Sequence, residues 1–591
     1  MSSPRTLENP WYYLENFEFV LHWIIKRYSD LLLPDERDLI HAFLQSPRPS
    51  RGLLVRMVMR KGCLFRASKL RYAEIGNTAL AAQILVRQGW ISEDPILALD
   101  ELFNLLTKPE LAALFRPQLA LPGMSTAPKS VQFEALRSQF PEARRFSEWA
   151  SLGQALGNSA ATASADYSVT GSGRRQLPNA GMAPPDAVYK LDIHALSDRF
   201  RLMFFGNLRQ DWTEFVLADL GLYIYERVDF ATTSRAFHTR HDVDAYLHLH
   251  YCKEQFAAGA QAADAAAIAG IQNAIPPRHD NDWLEERRGK LLFQIGQYHE
   301  RSGNWADALH CYGGCAYPGA RARRIRVLEC GNRYGEALAL AQAALQSPES
   351  EAEHQHLTRM MPRLLRRSGA PAPIRKAAGG VPRTQLKLPA PGAALRVEEQ
   401  VRNYLQTPHA PVFYVENTLI NALFGLLCWD AIFAAIPGAF FHPFQQGPAD
   451  LLRADFPVRR HQQFSTCLAQ LASGQYQQTI LHNFSCKAGI QSPFVAWGFI
   501  TPDVLAMALA CIPAQHLEIA FQRLMKDLRS NRSGLPDLVQ FWPAEQRYQM
   551  IEVKGPGDRL QDNQIRWLDY CHAHHIPVTV CYVQHETAPT S

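Results

Sequence analysis

The chain has 591 residues, of which 47% are hydrophobic and 20% are charged, so it is long enough for three or four domains that each bury a core. The formal net charge of +5 selects no class of partner by itself, and the placement of basic clusters decides more than their sum. Eleven cysteines without a Cys-x-x-Cys pair predict free thiols in a reducing compartment and exclude a disulfide-stapled scaffold.

No targeting or membrane signal stands out along the chain. The N-terminus lacks the basic start and apolar run of a signal peptide, and no stretch reaches the roughly 18 uninterrupted apolar residues of a membrane span. The most apolar run, residues 419–433, is interrupted by Asn421 and Asp430, which favours a buried helix. We therefore expect a cytoplasmic protein with no membrane partner.

Basic residues cluster near the N-terminus. Residues 48–72 contain eight Lys or Arg and no acidic residue, interleaved with leucine and phenylalanine, which predicts a basic face on small helices. Such a face binds nucleic acid strongly but without regard to sequence; the alternative is an ordinary solvated surface. The candidate DNA-binding residues here are Arg56, Arg60, Lys61, Arg66 and Lys69.

The next stretches alternate between loose and helical composition. Residues 124–185 are rich in Ser, Ala, Gly and Pro and predict a flexible connection. In the helical region at 186–367, Gly303-Asn304 recurs as Gly331-Asn332 at an offset of 28 residues, which is similar to helical hairpins of the tetratricopeptide type. Residues 368–394, rich in Pro, Gly and Ala, predict a linker.

A second basic cluster lies between these two Gly-Asn turns. The helix predicted there carries Arg321, Arg323 and Arg324, which we take as candidate DNA-binding residues. A solvated helix face is the alternative interpretation of the same residues.

The most informative motif lies in the last region, residues 395–591. Two β-rich runs around residues 537–542 and 547–554 flank a short polar turn with a proline, which predicts an antiparallel hairpin. Because side chains two apart share a face of a strand, Glu552 and Lys554 should point the same way while Val553 points into the core. Asp537 begins the partner strand and should lie beside them.

Two carboxylates and a lysine on one sheet face predict a divalent-metal site. Unpaired buried charges cost several kcal/mol, whereas Mg²⁺ or Mn²⁺ prefers such oxygen ligands and activates water against a phosphodiester. Asp537 and Glu552 are the candidate ligands, with the carbonyl of Val553 between them, and Lys554 would hold the water or the developing charge. As a third carboxylate we choose Glu416, expected on the inward face of a helix.

The segment after Lys554 predicts a further helix. Asp558 is the expected N-cap with Gln561 three residues on, and Gln564 interrupts the apolar stripe beside the site. Gln564 is therefore a candidate for orienting water or phosphate, with the satisfaction of a buried backbone group as the alternative. A cluster of histidines and a cysteine at 238–252 lacks the spacing of a structural zinc site.

These motifs resemble a known family. Pro536-Asp537 followed by Glu552-x-Lys554 resembles the PD-(D/E)xK restriction-endonuclease-like superfamily, and residues 555–567 are similar to its VRR-NUC branch, although Val-Thr-Val stands at 578–580 where the branch has Val-Arg-Arg. Together with Gly-Leu-Leu-Cys-Trp-Asp at 425–430 and Arg-Lys-Gly-Cys-Leu-Phe-Arg at 60–66, they resemble the Fanconi-associated nuclease family in a bacterial form, over nearly the whole chain.

The resemblance implies a multidomain architecture. Mainly α N-terminal and middle regions, SAP-like and winged-helix-like and then tetratricopeptide-like, should precede a C-terminal α/β restriction-endonuclease-like nuclease domain. The expected boundaries are a DNA-binding region at 1–123, the flexible connection at 124–185, the helical region at 186–367, the linker at 368–394 and the VRR-NUC domain at 395–591.

The resemblance also implies an activity. Glu416, Asp537 and Glu552 match the family's metal-binding acids, Val553 its carbonyl ligand and Lys554 its catalytic lysine. We expect a Mg²⁺- or Mn²⁺-dependent 5′-flap endonuclease and 5′-to-3′ exonuclease that acts on branched DNA at the nucleoid in interstrand crosslink repair. No Cys/His spacing of a ubiquitin-binding zinc finger is present, so ubiquitin-directed recruitment is not expected.

Other functions remain open from the sequence. A Holliday-junction resolvase or a restriction-type endonuclease uses the same catalytic fold. A non-catalytic DNA-binding scaffold would use the basic N-terminal region and the helical repeats alone.

Overall fold

The computed structural model describes residues 9–120, 122–152, 186–231, 233–371, 380–389 and 395–585. The chain divides into two compact units, Met1–Leu222 and Tyr223–Ser591. Within the described residues no single helix is long and apolar enough to cross a bilayer, and Pro502–Cys511 with Ala514–Lys526 has the required length and hydropathy only as a pair bent by 108°.

The first unit is mainly helical, as the sequence predicts. In its small three-stranded sheet, strand β5 (Val188–Leu191) lies between β1 (Leu64–Arg66) and β2 (Ile91–Glu93). It is antiparallel to both, with Phe65 opposite Tyr189. Asn77 starts a helix by accepting hydrogen bonds from the backbone N–H groups of Ala79 and Leu80. The elements are α1 (Tyr12–Tyr28), α2 (Pro34–Gln45), α3 (Arg48–Val58), β1 (Leu64–Arg66), α4 (Thr78–Arg87), β2 (Ile91–Glu93), β3 (Ile96–Leu97), α5 (Leu99–Leu105), α6 (Lys108–Leu114), α7 (Lys129–Arg137), β4 (Arg144–Arg145), β5 (Val188–Leu191), α8 (His194–Phe205) and α9 (Thr213–Asp219).

The predicted flexible connection at 124–185 differs from the structure over its first half. Residues 124–152 contain α7 and β4, and Leu136, Phe146 and Trp149 are buried in a core shared with α5 and α6. The indole N–H of Trp149 donates to the carbonyl of Leu97 at 3.0 Å. Three large apolar side chains therefore order a stretch whose average composition suggested a linker, and residues 153–185 lie outside the described part of the chain.

The second unit contains a helical array, from Arg240 to Arg367, that follows the predicted hairpin pattern. Each helix packs against the next, and the two tight turns use a left-handed residue, with φ of +75° at Gly303 and +59° at Asn332. Gly296 lets two helices approach closely, because a Cβ there would lie 2.7 Å from the ring of Tyr312. The helices are α10 (Arg240–Gln261), α11 (Ala265–Ala274), α12 (Asp282–Arg301), α13 (Trp305–Gly313), α14 (Ala320–Cys330), α15 (Tyr334–Gln346) and α16 (Glu351–Arg367).

The start of this unit does not belong to the helical array, which corrects the boundary predicted at residue 186. Residues 186–222 fall in the first unit, and the segment after them is attached to the C-terminal domain. Glu226 accepts a hydrogen bond from the indole N–H of Trp429 at 2.7 Å and pairs with Lys487 at 2.9 Å. The N–H of Gln491 donates to the carbonyl of Ile224.

The C-terminal domain is built on a five-stranded mixed sheet. Across the sheet the strands follow the order β6 (Arg383–Leu388), β10 (Val578–His585), β9 (Arg547–Lys554), β8 (Leu538–Trp542) and β7 (Val412–Tyr414). Strand β10 is parallel to β6 and β9, whereas β8 is antiparallel to β7 and β9. Its elements are β6 (Arg383–Leu388), α17 (Val397–Leu405), β7 (Val412–Tyr414), α18 (Leu419–Leu427), α19 (Trp429–Ile432), α20 (His461–Ser473), α21 (Tyr476–Cys486), α22 (Pro502–Cys511), α23 (Ala514–Lys526), α24 (Leu528–Asn531), β8 (Leu538–Trp542), β9 (Arg547–Lys554), α25 (Asp562–Ala573) and β10 (Val578–His585).

Strand β6 lies inside the linker predicted at 368–394. Its pairing with β10 joins residues almost 200 positions apart, so no local pattern indicates it. Residues 372–379 and 390–394 of that stretch lie outside the described chain.

The sheet is covered on both faces, which places the site. One face packs with Trp567 of α25 and with α18, whose nine residues are all buried, as predicted for residues 419–433. The other face packs with Val401 of α17, and Val553 belongs to it. Each fully buried aromatic or branched side chain stabilises the domain by about 1.5–3 kcal/mol.

Candidate active site

Asp537, Glu552 and Lys554 converge at one end of the β8–β9 hairpin. Leu538 pairs with Ile551, which brings Asp537 beside the end of β9. Oδ2 of Asp537 accepts a hydrogen bond from the N–H of Val553 at 2.9 Å, and Nζ of Lys554 lies 2.8 Å from Oε1 of Glu552. The three charged residues are 7%, 0% and 8% exposed, so the hairpin carries a buried charged cluster.

Glu552 has an incomplete environment. Oε2 of Glu552 is buried without a hydrogen-bond donor in the described chain, and Oε1 is compensated by the ammonium of Lys554 alone. Burial raises the pKa of Glu552, the Asp537 carboxylate raises it further, and Lys554 opposes both effects. Burial also raises the pKa of Asp537, against the Val553 N–H and Lys554. A divalent cation would compensate both carboxylates.

Glu416 reaches the site from a turn instead of the helix face that the sequence predicts. It lies between β7 and α18 and is exposed, and its carboxylate accepts hydrogen bonds from the phenol of Tyr414 and the amide of Asn417. The N–H of Val415 donates to the carbonyl of Asp537 at 2.8 Å, which fixes this turn beside the hairpin. The prediction that Glu416 lies on a helix face was wrong, because α18 starts three residues after it, at Leu419.

Asn417 and Glu398 are site residues that sequence reasoning missed. Asn417 has a φ of +52°, and its side-chain oxygen accepts from the N–H of Leu535 at 3.1 Å, which links the Glu416 turn to the loop before Asp537. Glu398 is half-buried in the first turn of α17, and its charge contributes to the raised pKa of Asp537. An acid in the first turn of the helix that precedes β7 was the available signal.

The helix after the site begins three residues later than predicted, and this changes the role of Gln564. Gln561 is the N-cap of α25, and Oε1 of Gln564 accepts a hydrogen bond from the Gln561 N–H at 2.8 Å. Asp558, the predicted N-cap, instead accepts from the N–H of Gly555 at 2.9 Å. Gln564 therefore caps its own helix, and among the described residues its side chain forms no hydrogen bond with Asp537, Glu552 or Lys554.

Gly534 allows the loop before Asp537 to lie on the first turn of α25. Its φ is +91°, and a Cβ there would stand 2.6 Å from the backbone carbon of Asn563. This backbone geometry is open only to glycine at low cost.

The donor set fits a hard divalent cation. Asp537 and Glu552 supply buried carboxylates, the Val553 carbonyl lies between them in sequence, and Glu416 supplies an exposed carboxylate nearby. Across the described ranges, no three His, Cys, Asp or Glu side chains are gathered closely enough to hold an ion by themselves, so water and substrate oxygens have to complete the shell. This result also gives no support to zinc at 238–252.

Comparisons with known proteins identify the domains and the family of this chain. Residues 11–92 match the family model described as FAN1, HTH domain, residues 96–149 the Fanconi anemia-associated nuclease SAP domain, and residues 471–585 the VRR-NUC domain. A Fanconi-associated nuclease 1 homolog of Pseudomonas aeruginosa is 49% identical over 584 residues, covering 99% of this chain and 97% of that protein. The chain belongs to the Fanconi-associated nuclease family.

Relatives outside bacteria and a solved structure extend the comparison. The homolog of Arabidopsis thaliana is 24% identical over 614 residues, or 94% of this chain and 65% of that protein. The crystal structure of paFAN1 bound to 2nt 5′flap DNA with gap superimposes with a TM-score of 0.89 at 48% identity, covering 99% of this chain and all of that one. The chain is therefore a nuclease with the multidomain fold that the sequence predicted.

In this Fanconi-associated nuclease, the candidate DNA-binding residues of the first unit fall into two groups. Arg56 is held by Glu74 at 2.6 Å and stacks on Tyr13, and Arg66 pairs with Glu110 and Asp186. These two arginines are therefore structural in large part. The other three residues are exposed and have no ion pair within the described chain: Arg60, Lys61 and Lys69.

The candidates in the helical array divide in the same way. Arg321 is bound by the buried Glu353 at 2.5 Å and holds two helices together, whereas Arg323 lies 3.2 Å from Glu300 with its side chain 42% exposed. Arg324 is exposed. The acids come from neighbouring helices, which the sequence of one helix does not reveal.

Proposed function

We propose that this nuclease cleaves 5′-flap DNA with Mg²⁺ or Mn²⁺, as an endonuclease near the flap and as a 5′-to-3′ exonuclease, in interstrand crosslink repair in the cytoplasm. The observation that carries the metal-dependent chemistry is the pair of buried carboxylates, Glu552 and Asp537, which share Lys554 as their one nearby cation among the described residues, with Oε2 of Glu552 left without a donor. A buried charge of this kind is maintained at a cost of several kcal/mol, which a bound cation offsets.

The residues of the site have separate tasks in this reaction. Asp537, Glu552 and the Val553 carbonyl would hold the cation, and Glu416 would approach from its turn. The bound ion supplies Lewis acidity toward the scissile phosphate and lowers the pKa of a water. Lys554, fixed 2.8 Å from Glu552, presents its ammonium where negative charge develops on the phosphate.

The substrate is proposed from similarity and charge. The solved relative named above is bound to 5′ flap DNA with a gap, and it aligns over almost the full length of this chain. The exposed cations Arg60, Lys61 and Lys69 would add a phosphate-binding surface in the first unit. Recruitment to damage without ubiquitin stays a prediction from the sequence.

Cleavage assays with a substrate panel test the proposal. End-labelled 5′-flap, nicked, blunt and four-way DNA are incubated with Mg²⁺ or Mn²⁺, and we expect the flap substrate to be cut fastest. Preference for the four-way junction would instead indicate a resolvase. Asp537→Asn should lower the rate by at least about a thousandfold while DNA binding persists.

The matched control is Glu545→Gln. Glu545 lies exposed in the turn of the same hairpin, where it pairs with Arg547. Its replacement removes one carboxylate without touching the cluster, so the cleavage rate should stay within about twofold. Cleavage that needs no metal, or that survives Asp537→Asn, would refute the mechanism.

A further inference from the structure

Arginines line one face of α16 at the end of the helical array. Arg359, Arg363, Arg366 and Arg367 stand at positions i, i+4, i+7 and i+8, which share a helix face, and all four are exposed. Two of them, Arg366 and Arg367, form no ion pair with a carboxylate of the described chain. The face extends for about 12 Å along the helix.

Helix α14 adds two arginines to the same surface. Arg323 and Arg326 share the carboxylate of Glu300, at 3.2 and 3.0 Å. Arg363 of α16 pairs with Glu329 of α14 at 2.5 Å, so the two arginine-bearing faces adjoin. We call this surface the arginine ridge, and its members are Arg323, Arg326, Arg359, Arg363, Arg366 and Arg367.

The pKa of His356 is influenced by arginines of both helices. His356 precedes Arg359 by one turn of α16. Burial lowers the pKa of His356, and Arg359, Arg323 and Arg363 lower it further, against the opposing charge of Asp562. Arginines from both helices therefore act on one point.

The acids of the ridge lie beneath the arginines. The Glu300 and Glu329 side chains are 10% and 15% exposed, whereas the arginine side chains paired with them are 42–54% exposed. Since each guanidinium has five N–H donors, a buried carboxylate orients it and leaves outer donors free. Among the described residues, the six arginines pair with three carboxylates, those of Glu300, Glu329 and Asp562, so the surface stays strongly basic.

The ridge is connected to the nuclease site. Arg359 donates to both oxygens of Asp562, at 2.8 and 3.1 Å, in the first turn of α25. Asp562 follows Lys554 by eight residues, so their Cα atoms are at most about 28 Å apart. A DNA strand presents one phosphate every 3.4 Å of duplex axis, so a distance of about 28 Å corresponds to roughly eight phosphates of one strand.

We propose that the arginine ridge binds the phosphate backbone of the duplex arm that the nuclease site cuts. This inference rests on the proposed function and adds a substrate-positioning surface to it. Planar guanidinium groups with free paired donors match phosphate geometry, and the neighbouring site already requires a phosphodiester. In the absence of DNA, Asp562 holds Arg359 in the place that a phosphate would take.

Opposite charge changes in the full-length protein test the ridge. Each protein is titrated into fluorescent 5′-flap DNA, in buffer that contains Ca²⁺ in place of Mg²⁺. The titration is repeated at NaCl concentrations from about 50 to 200 mM. Arg359→Gln and Arg366→Gln should each weaken binding about fivefold and reduce the salt slope by about 0.9. Asp562→Asn should strengthen binding, because it releases Arg359.

The matched control is Arg547→Gln. Arg547 is 50% exposed and pairs with one acid, as Arg359 does, but it lies at the opposite end of β9 from Lys554. Its replacement should leave the affinity and the slope unchanged. Arg366→Gln breaks no ion pair within the described chain and so guards against a folding defect.

The outcomes separate the two proposals. Wild-type cleavage of the flap together with unchanged affinity and slope in both ridge variants would overturn the ridge and leave the nuclease proposal standing. A wild-type protein that does not cut flap DNA would overturn both. Tighter wild-type binding of polyglutamate than of the duplex, lost in Arg359→Gln, would overturn the assignment to DNA and indicate an acidic protein partner.

Discussion

Replacing Glu552 by Gln should stabilise the metal-free protein while abolishing cleavage. The glutamine keeps the shape of the side chain but removes a fully buried charge, of which Oε2 has no hydrogen-bond donor in the described chain and Oε1 has only Lys554. Lys554 keeps a carboxylate partner after the change, because its charge also lowers the pKa of Asp537. A residue needed for catalysis is in this case unfavourable for folding.

The size of the gain follows from burial. Replacing a buried, imperfectly compensated charge by a neutral group of similar volume typically stabilises by about 1–4 kcal/mol, and the ion pair with Lys554 places this site near about 2 kcal/mol. The entropy of unfolding is about 2.1 cal/mol/K per residue. For a cooperative unit of roughly 370 residues, the gain corresponds to an increase in Tm of about 2–3 °C.

The pH dependence of this gain has a defined sign. Because the folded protein raises the pKa of Glu552, the wild-type site is most stable below the ordinary glutamate pKa and loses stability as the pH rises through the raised value. The advantage of the glutamine should therefore be small near about pH 5 and largest near about pH 8.

Calorimetric melts with and without Mn²⁺ measure both effects. Mn²⁺ at about a hundred times its Kd should stabilise the wild type by about 2.7 kcal/mol and leave Glu552→Gln unchanged. Glu545→Gln serves as the exposed control and should melt like the wild type. A metal-free Glu552→Gln protein that melts below the wild type at about pH 8 would show that the ion pair outweighs desolvation, and would refute this reasoning.

Three further substitutions test other parts of the site. Gln564→Ala should lower stability by about 1 kcal/mol through loss of the cap and keep the cleavage rate within about twofold, and a slow but stable variant would restore the catalytic role predicted from the sequence. Gly534→Ala should destabilise by about 1–3 kcal/mol in thermal melts because its Cβ meets Asn563, and an unchanged Tm would show that the loop accommodates the added methyl group without cost. Tyr414→Phe frees Glu416 from its hydrogen bond and should change the Kd for Mn²⁺ in calorimetry by about tenfold; equal affinity would remove Tyr414 from the site.

The basic surfaces show where local reasoning about charge ends. Residues 48–72 contain no acid, but Arg56 is neutralised by Glu74 just beyond this window and Arg66 by Glu110 and Asp186. Likewise Arg321 is held by Glu353 from another helix. Which basic residues remain available to phosphate depends on these pairings, because a paired and half-buried guanidinium has fewer free donors.

The sequence by itself determined the hairpin with Asp537, Glu552 and Lys554, because strand period and a short turn are local properties. It also selected Glu416, but on the wrong element. Only the tertiary structure decided which turn carries Glu416, that β6 pairs with β10, and that Gln564 caps its own helix. These features depend on contacts between residues far apart in the chain, or on where a helix starts within a permissive sequence, and neither leaves a periodic signal.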